Sequence, residues 1–240
     1  MSHSRNSGIT LAAAAYEQLR ADLLSCRLPP GQPIKIADTA TLLGTNPIAI
    51  REALSKLTSE GLVTTEAQKG FRAAPISIGT LRDLTQVRID IEGLCLRRAI
   101  AGGGVDWESG IVAALHRLLR TDLVAADDAR RNSEIWAAHH AQYHEALVAA
   151  CDSPILLSIR TSLYVQAERY RRLSVPLAET VRDLDGEHSA LADAAIARDP
   201  DLAVALMAAH LNATTKILTE SGVVQHEPTS VRQPRLRLSG

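Results

Sequence analysis

The 240-residue chain lacks the features that would assign it to a membrane, secreted or disulfide-linked class. No apolar run approaches the ~18 residues of a membrane span, and the polar start of the chain has no apolar signal-peptide core. The three cysteines Cys26, Cys95 and Cys151 are odd in number and widely separated, which predicts small buried thiols. We therefore expect a cytoplasmic protein without a membrane partner.

The composition is that of a globular protein, with 46% hydrophobic and 22% charged residues. The length allows one large domain or two domains of ordinary size, and we expect two. The net charge of -1 conceals a division along the chain, because both ends are mildly basic and the middle is acidic.

A complete short helix is predicted between Asn46 and Gly61. Asn46 is a favourable N-cap, Pro47 suits the first helical position, and Gly61 can adopt the left-handed conformation that ends a helix. Arg51 and Lys56 lie outside the apolar face, where they are free to meet a partner. That apolar face contains three residues at i, i+4 and i+7 spacing, namely Ile50, Leu54 and Leu57.

The neighbouring segments predict a winged helix-turn-helix around this helix. A first helix is expected over Thr10–Arg27 and a short second one over Ile36–Leu43, and two short helices joined by a tight turn form a helix-turn-helix. Beyond Gly61 the apolar residues no longer follow helical spacing. The segments Leu62–Glu66 and Phe71–Ala74 are predicted to form a hairpin with Gly70 at its tip.

The rest of the chain is predicted to be helical, so the expected fold is mainly α, with an antiparallel six-helix bundle after the winged module. We expect a flexible tail over residues 1–9, the winged helix-turn-helix module over 10–75, a linker over 76–79, the helical domain over 80–222 and a disordered tail over 223–240. Apolar residues recur at helical spacing in six segments, Leu81–Ala101, Trp107–Ala126, Ala129–Ala150, Ile155–Ser174, Ala178–Arg198 and Leu202–Thr219.

Four histidines of this bundle are predicted to lie near one another. His140 and His144 are separated by one helical turn, a spacing that can present two imidazoles to one ion. His188 and His210 are equally distant along the chain from the turn at Asp199, so they lie at the same height if the last two helices pair antiparallel. A lone histidine is more often a core residue, but two such coincidences favour a metal site between facing helices.

Several short runs of the amino-terminal part occur in a characteristic order and spacing, namely Leu28-Pro29-Pro30-Gly31, Leu42-Leu43-Gly44, Arg51-Glu52-Ala53-Leu54, Glu60-Gly61-Leu62-Val63 and Lys69-Gly70-Phe71. In these runs the chain resembles the GntR-type bacterial transcription regulators. This resemblance implies that the helix from Pro47 enters the major groove of double-stranded operator DNA and that the wing tip at Lys69 and Gly70 approaches the minor groove.

The start of the proposed recognition helix departs from the family pattern. Where the family has Ser-Arg-Thr-Pro, this chain has Asn46-Pro47-Ile48-Ala49, so one groove-facing arginine is missing and the operator sequence cannot be carried over. Arg51 can grip phosphate or guanine edges, although an ion pair with Glu52 or Glu60 is the alternative. The candidate DNA-contacting residues are Asn46, Ile48, Arg51, Lys56, Lys69 and Gly70.

The helical part resembles the effector domain called FCD of the FadR branch, in its shorter VanR-like subgroup. The matching runs include Val87-Arg88, Tyr143-His144-Glu145-Ala146-Leu147, Glu187-His188 and Met207-Ala208-Ala209-His210. Metal-binding members of the family use one aspartate and three histidines, and here the aspartate position is occupied by His140. The resemblance therefore implies a site of four imidazoles, which suits a divalent transition metal such as zinc or nickel. We expect the neighbouring His139 to lie outside the site.

The function expected from both resemblances is that of a metabolite-responsive transcription regulator, a repressor that binds DNA as a homodimer and is not an enzyme. A small carboxylate metabolite would complete the metal's ligand shell while Arg88 binds its other end, unless Arg88 pairs with Asp90 or Glu92. One competing hypothesis is a histidine-rich metallohydrolase with Glu145 or Glu187 as general base. However, no HExxH or nucleophile motif is present. Another is a constitutive DNA binder with a purely structural metal.

Overall fold

The computed structural model describes residues 10–66, 70–126, 128–178 and 182–224. Lys69, the amino-terminal tail over residues 1–9 and residues 225–240 of the expected carboxy-terminal tail lie outside this description. The described residues form a small winged module followed by a domain of longer helices, as the sequence predicted.

The winged module begins with three helices, α1 (Leu11–Leu24), α2 (Ile36–Leu42) and α3 (Pro47–Ser59). Thr10 caps α1 by accepting a hydrogen bond from the Ala13 N–H. Helix α1 stops before the expected Arg27, because Ser25 caps it and Cys26 adopts a positive φ of 56°. Cys26 therefore lies in a turn and is only half-buried, unlike the buried thiol expected from the sequence.

Both ends of α3 follow the sequence prediction. The Asn46 side chain accepts the Ala49 N–H at 2.9 Å, which satisfies one of the free donors of the first turn. At the other end Gly61 has a φ of 76°, and the Leu62 N–H returns to the Leu57 carbonyl at 3.0 Å. This is the Schellman arrangement, which lets the chain reverse directly from the helix into the wing.

The wing is a three-stranded antiparallel sheet formed by β1 (Pro33–Ile34), β2 (Val63–Glu66) and β3 (Gly70–Ala73). Strand β3 lies in the middle, with Val63 opposite Ala73 and Glu66 opposite Gly70. The two-residue strand β1 was not predicted, because it is too short to show a period in the sequence. The module's core contains Leu19, Leu23, Ile50, Leu54, Leu57 and Leu62.

The helical domain contains six helices within the described residues. They are α4 (Ile78–Gly102), α5 (Val105–Leu119), α6 (Glu134–Val148), α7 (Pro154–Ala178), α8 (Leu184–Ile196) and α9 (Pro200–Ser221). Side chains cap the starts of four of them, since Ser77, Ser133, Asp183 and Asp199 each accept a backbone N–H three residues ahead. The main core joins α4, α5, α6, α8 and α9 through residues such as Leu96, Ile111, Tyr143, Leu147, Leu191 and Met207.

The segment between α5 and α6 differs from the sequence prediction. Helix α5 ends at Leu119, and a short hairpin of β4 (Val124–Ala125) and β5 (Asp128–Asn132) follows where helix had been expected. Helical spacing of apolar residues does not exclude a short strand pair, so periodicity alone placed the helix end wrongly.

Two further boundaries were also wrong. Helix α7 continues through Pro176 to Ala178, so this proline does not end the helix, although it lacks the N–H of a regular helical hydrogen bond. Helix α4 already begins at Ile78, inside the expected linker. Val224, expected in a disordered tail, is buried against Ile78 and Leu218.

Helix α9 is long and apolar enough to cross a membrane by length and composition. Core helices of other proteins meet the same test, and α9 buries Ala203, Met207, His210 and Leu218 inside this domain. Packing accounts for part of its apolar character, since 28% of its 18-residue apolar window is buried.

Helix α7 joins the two domains. Val165 packs against the core of the winged module, and the buried Arg169 donates a 2.7 Å hydrogen bond from Nη2 to the Ala74 carbonyl at the end of the wing. A Cβ on Gly61 would lie only 3.1 Å from the Gln166 side chain, so α7 also touches the end of α3 closely. The winged module thus rests directly on a helix of the other domain.

Candidate metal centre

Three helices bring the four predicted histidines together. Helix α6 carries His140 and His144, α8 carries His188, and α9 carries His210. All four side chains are buried, and one potential ligand atom from each lies within 4.8 Å of the others. The expected pairing in height is present, since the His188 and His210 ring centroids are 5.0 Å apart.

The spacing of the nitrogens fits a single ion. The Nε2 atoms of His140 and His144 are 3.2 Å apart. Two nitrogens bound to one ion at about 2.0–2.1 Å, at a tetrahedral angle, lie about 3.3 Å from each other. The helical spacing of this pair therefore places two ligand atoms at the separation that a shared ion requires.

Hydrogen bonds outside the cluster orient two of the rings. His210 Nδ1 lies 2.8 Å from Glu187 Oε2 and 3.1 Å from Arg182 Nη2. The shorter contact is to a carboxylate, which only accepts, and this favours the tautomer with the proton on Nδ1 and Nε2 as the ligand atom. His140 Nδ1 lies 3.0 Å from the Tyr164 hydroxyl, a contact that also leaves Nε2 directed at the cluster. Trp136 stacks on the His140 ring at 4.7 Å between centroids and limits its rotation.

Several buried nitrogens of the cluster have no hydrogen-bond partner in the described part of the chain, namely both ring nitrogens of His188 and Nδ1 of His144. Leaving such a group unsatisfied costs about 1–3 kcal/mol. A divalent ion at the centre would supply a partner for one of the two His188 ring nitrogens, so the donor set fits a transition metal.

Burial lowers the pKa of all four histidines. For His140 and His144 the pKa lies well below the ordinary value, because burial disfavours the charged ring and the neighbouring histidines add repulsion. Burial lowers the pKa of His188 to about 3 and lowers that of His210, although Glu187 opposes the latter shift. All four rings are therefore neutral at pH 7, the protonation state in which imidazole binds metal.

A cavity of about 40 Å³ adjoins the cluster. Since one water molecule needs about 10–15 Å³ by the same kind of measure, there is room for a small ligand group. The wall includes His140, His144 and His210, the hydroxyls of Tyr164, Thr214 and Thr215, and the charged side chains of Arg88, Glu168, Arg171 and Arg182.

Arg88 lies in this wall and also forms the alternative ion pair considered from the sequence. Its Nη2 is 3.3 Å from Glu92 Oε1, whereas Asp90 instead accepts a hydrogen bond from Gln86. Glu92 is shared, because Arg160 donates to its other oxygen at 2.8 Å. The two interpretations of Arg88 are therefore compatible.

Sequence reasoning missed most of the polar residues around the histidines. Glu168 joins Arg171 and Arg172, and Arg182 holds Glu187 at 2.6 Å while donating to the His210 carbonyl at 2.8 Å. The run from Glu168 to Arg172 was visible as a charged stretch. Its burial was not, since charged runs on helices are usually solvated.

The proposed DNA-contacting face of α3 is exposed. Ile48 is 79% exposed, and Arg51 has no ion pair with any described residue. The alternative pairing of Arg51 with Glu60 does not form, because Glu60 accepts hydrogen bonds from Tyr16 and Arg20. Arg51 therefore remains available to a ligand.

The other candidates on the winged module have different surroundings. Asn46 is exposed and uses its side-chain oxygen as the cap of α3. Lys56 places its Nζ 3.6 Å from the centroid of the Tyr16 ring, so it is held against α1. Gly70 has a φ of 80°, and no atom of the described residues lies within 4 Å of a potential Cβ, which leaves room for a close approach at this position. Lys69 lies outside the described residues.

Comparison with known proteins decides the family. The model of bacterial regulatory proteins of the gntR family matches residues 11–72, and the FCD domain model matches residues 83–213. The chain is also 34% identical over 216 residues to the uncharacterized HTH-type transcriptional regulator BphR of Paraburkholderia xenovorans strain LB400, covering 90% of this chain and 88% of BphR. The chain belongs to the GntR family and carries an FCD domain.

Other relatives of this GntR-family chain are regulators as well. It is 34% identical over 212 residues to the HTH-type transcriptional repressor GlaR of Escherichia coli K12, with 86% of this chain and 94% of GlaR covered. Among solved structures, Escherichia coli McbR/YncC has a TM-score of 0.67 at 17% identity, covering 89% of this chain and 99% of McbR. A putative GntR regulator from Rhodococcus sp. RHA1 also scores 0.67 at 18% identity, with coverages of 87% and 97%. These structures support the fold.

The protein is a DNA-binding transcriptional regulator and not an enzyme. The site agrees with this conclusion, because neither candidate base of the hydrolase hypothesis is suitably placed. Glu145 is exposed on the outer face of α6, and Glu187 is engaged by Arg182 and His210.

Proposed function

We propose that this regulator is a metabolite-responsive repressor that binds operator DNA as a cytoplasmic homodimer, with a metal-dependent carboxylate site in its helical domain. The observation that carries the proposal is the cluster of four buried, neutral imidazoles next to a cavity lined by arginines. Such a site suits zinc or nickel held by His140, His144, His188 and His210.

The division of labour follows the two matched regions. We assign residues 10–75 to DNA binding and 80–222 to effector binding, and the family matches at 11–72 and 83–213 lie inside these limits. The six helices favour the VanR-like subgroup of the FadR branch. The repressor assignment is supported by the name of GlaR, a transcriptional repressor.

On the DNA side, α3 would lie in the major groove with Asn46, Ile48 and Arg51 facing bases and phosphates. An exposed isoleucine at the start of the helix suits a thymine methyl, and Arg51 suits phosphate or guanine. Gly70 at the wing tip would approach the minor groove, with Lys69 beside it. Because the module carries little net charge, useful affinity requires two modules on one pseudo-palindromic operator.

On the effector side, a carboxylate would bind in the cavity, with Arg88 holding part of it by a charge-assisted hydrogen bond. A divalent ion held by the four histidines would accept a carboxylate oxygen as a further ligand by expanding beyond four-coordination. Glu187 and Tyr164 keep the His210 and His140 rings in the orientation that presents Nε2.

Helix α7 provides a physical route from this cavity to the DNA-binding module. Tyr164, Glu168 and Arg171 face the cavity, whereas Val165 and Arg169 face the winged module. These two groups lie on different sides of one rigid helix, so a small rotation of α7 on effector binding would move the ends of α3 and the wing. The spacing between the two winged modules of the homodimer would then no longer fit the operator.

Operator binding tests the proposal, using a DNA site found by selection and the full-length protein. Metal-loaded protein is expected to bind the operator and to release it when the correct carboxylate is added, while chelated protein no longer responds. Operator binding that is unaffected by every carboxylate tried would instead support the constitutive DNA binder with a structural metal.

A further inference from the structure

The charges around the cavity allow the class of effector to be narrowed, an inference that rests on the metal and carboxylate roles proposed above. We infer that the effector is a short dicarboxylate, with one carboxylate at the histidine-bound ion and the other at Arg88. The inference depends on a balance between positive and negative side chains around the cavity.

The four histidines add no negative charge to the site. Imidazole binds a metal as a neutral ligand, and no carboxylate belongs to the set His140, His144, His188 and His210. A divalent ion held there would keep its full charge of two. A buried charge of this size requires an anionic partner, because burial removes the stabilisation that water gives.

Arg88 belongs to a second group with an excess of positive charge. Arg88 and Arg160 share the single carboxylate of Glu92, and the three side chains are 11%, 6% and 1% exposed. One of the two guanidinium charges therefore has no negative counterpart within this group. Nε of Arg88 is buried and has no hydrogen-bond partner in the described part of the chain, and Arg88 is the member that lines the cavity.

The remaining charged side chains near the cavity cancel one another. Arg182 is paired with Glu187. Arg171 and Arg172 are matched by two carboxylates, Glu168 and the more exposed Glu134. Of the side chains that the structure describes here, only the Arg88 group keeps a net positive charge.

A monocarboxylate can bind only one of the two positive centres, the histidine-bound ion or the Arg88 group. If it binds the ion, the extra charge of the Arg88 group stays buried, and an unpaired buried charge is strongly unfavourable. A second carboxylate at Arg88 would remove that penalty and satisfy Nε. Arg88 and three of the histidines line the same cavity of about 40 Å³, so the chain between the two carboxylates must be short.

Calorimetry on the full-length protein, loaded separately with zinc and with nickel, tests the inference. The probes are the saturated dicarboxylates from malonate to adipate, each compared with the monocarboxylate of the same carbon number. The second carboxylate adds a charge-assisted hydrogen bond to the binding free energy. The best dicarboxylate should therefore bind about 10- to 100-fold more tightly than the monocarboxylate of the same carbon number. Equal affinities within every pair would overturn the inference.

Two variants test the origin of the preference. Arg88→Gln should weaken the best dicarboxylate at least about tenfold more than the matched monocarboxylate, because only the dicarboxylate reaches Arg88. His140→Asp adds a carboxylate beside the ion and should weaken both members of a pair alike, because both place one carboxylate at the ion, so the preference should remain. If His140→Asp does not hold metal, the test rests on Arg88→Gln. An unchanged preference for the dicarboxylate in Arg88→Gln contradicts the inference. The control His139→Ala should keep the preference of the unsubstituted protein, since its Nδ1 contacts Thr121 outside the cavity.

The outcomes separate this inference from the proposed function. Protein that binds both members of each pair equally, and still releases operator DNA, retains the proposed function and loses the dicarboxylate assignment. Protein that binds no carboxylate and holds no metal loses both.

Discussion

The proposed recognition helix α3 and the histidine cluster are specified at very different distances along the chain. Helix α3 takes its cap from Asn46 and its termination from Gly61, and its hydrogen bonds stay within that short segment. The cluster instead draws on α6, α8 and α9, with further polar groups from α4 and α7. Local signals therefore define the ends of α3, the proposed DNA-binding element, whereas the candidate effector site forms only after the helical domain has packed.

This comparison predicts that substitutions in the histidine cluster lower the stability of the whole helical domain, whereas substitutions on the exposed face of α3 have only local effects. His144→Ala and His210→Ala should lose metal and melt earlier. An ion present at about a hundredfold excess over its dissociation constant stabilises by about 2.7 kcal/mol. Each buried nitrogen left unsatisfied costs about 1–3 kcal/mol more. Elemental analysis of untagged protein and thermal unfolding are the measurements.

His139→Ala is the matched control for this experiment. His139 is adjacent in sequence to His140 but bonds Thr121, so its replacement should change neither metal content nor melting temperature appreciably. Metal retained in both ligand variants, or lost equally in the control, would show that the four histidines do not form the site.

Acidity should destabilise the chelated protein through the same cluster. The folded pKa values of the four histidines are lowered, that of His188 to about 3, so below the unfolded value of about 6.5 the unfolded chain binds more protons. Stability therefore falls as pH decreases from 7 towards 4, by up to about 1.4 kcal/mol per pH unit for each histidine. Urea unfolding at several pH values measures this loss.

A variant with one histidine fewer isolates the contribution of the cluster. His188→Gln in chelated protein should show a shallower pH dependence than the unsubstituted chain, because one proton-binding group of the unfolded state is absent. Identical slopes in the two proteins would mean that His188 does not remain neutral in the folded state.

A substitution on the DNA side should have a local effect. Arg51→Ala removes an exposed cation and should weaken operator binding by about 1–3 kcal/mol, with a salt slope lower by about one if the lost contact is to phosphate. Metal content and melting temperature should stay as in the unsubstituted protein, since Arg51 has no ion pair within the described structure. Unchanged affinity at every salt concentration would remove α3 from the DNA interface.

The smallest expected effect concerns the connection between the two regions. Arg169→Met keeps a long side chain on α7 but removes the hydrogen bond to the Ala74 carbonyl. Substitutions within such connecting networks change coupling by about 0.5–2 kcal/mol, so the effector should release DNA less completely. Operator affinity with and without effector gives the coupling, and Thr161→Val on the exposed side of the same helix is a comparison that leaves the Ala74 contact and the cavity charges intact. Equal coupling in Arg169→Met and the unsubstituted protein would exclude this route.

The same difference in range explains which expectations the structure met. Helix-capping residues, helix-breaking residues and the spacing of apolar residues predicted α3, the wing hairpin and the helical nature of the second domain. They failed at the β4–β5 hairpin and at Pro176, where short or terminal irregularities leave no periodic signal. The histidine cluster was found because its two pairs happen to follow helical and hairpin spacing. No comparable spacing pointed to Arg160, Tyr164 or Arg182, whose roles depend on contacts between distant segments.

The sequence by itself determined the local elements and the identity of the four candidate ligands, because helix caps, turn residues and side-chain period act over a few residues. Only the tertiary structure decided that Glu92 serves two arginines, that Glu187 fixes the His210 ring, and that α7 touches both the cavity and the wing. Burial and charge pairing depend on which distant side chains meet, and those contacts set both the protonation of the histidines and the balance of charge in the cavity.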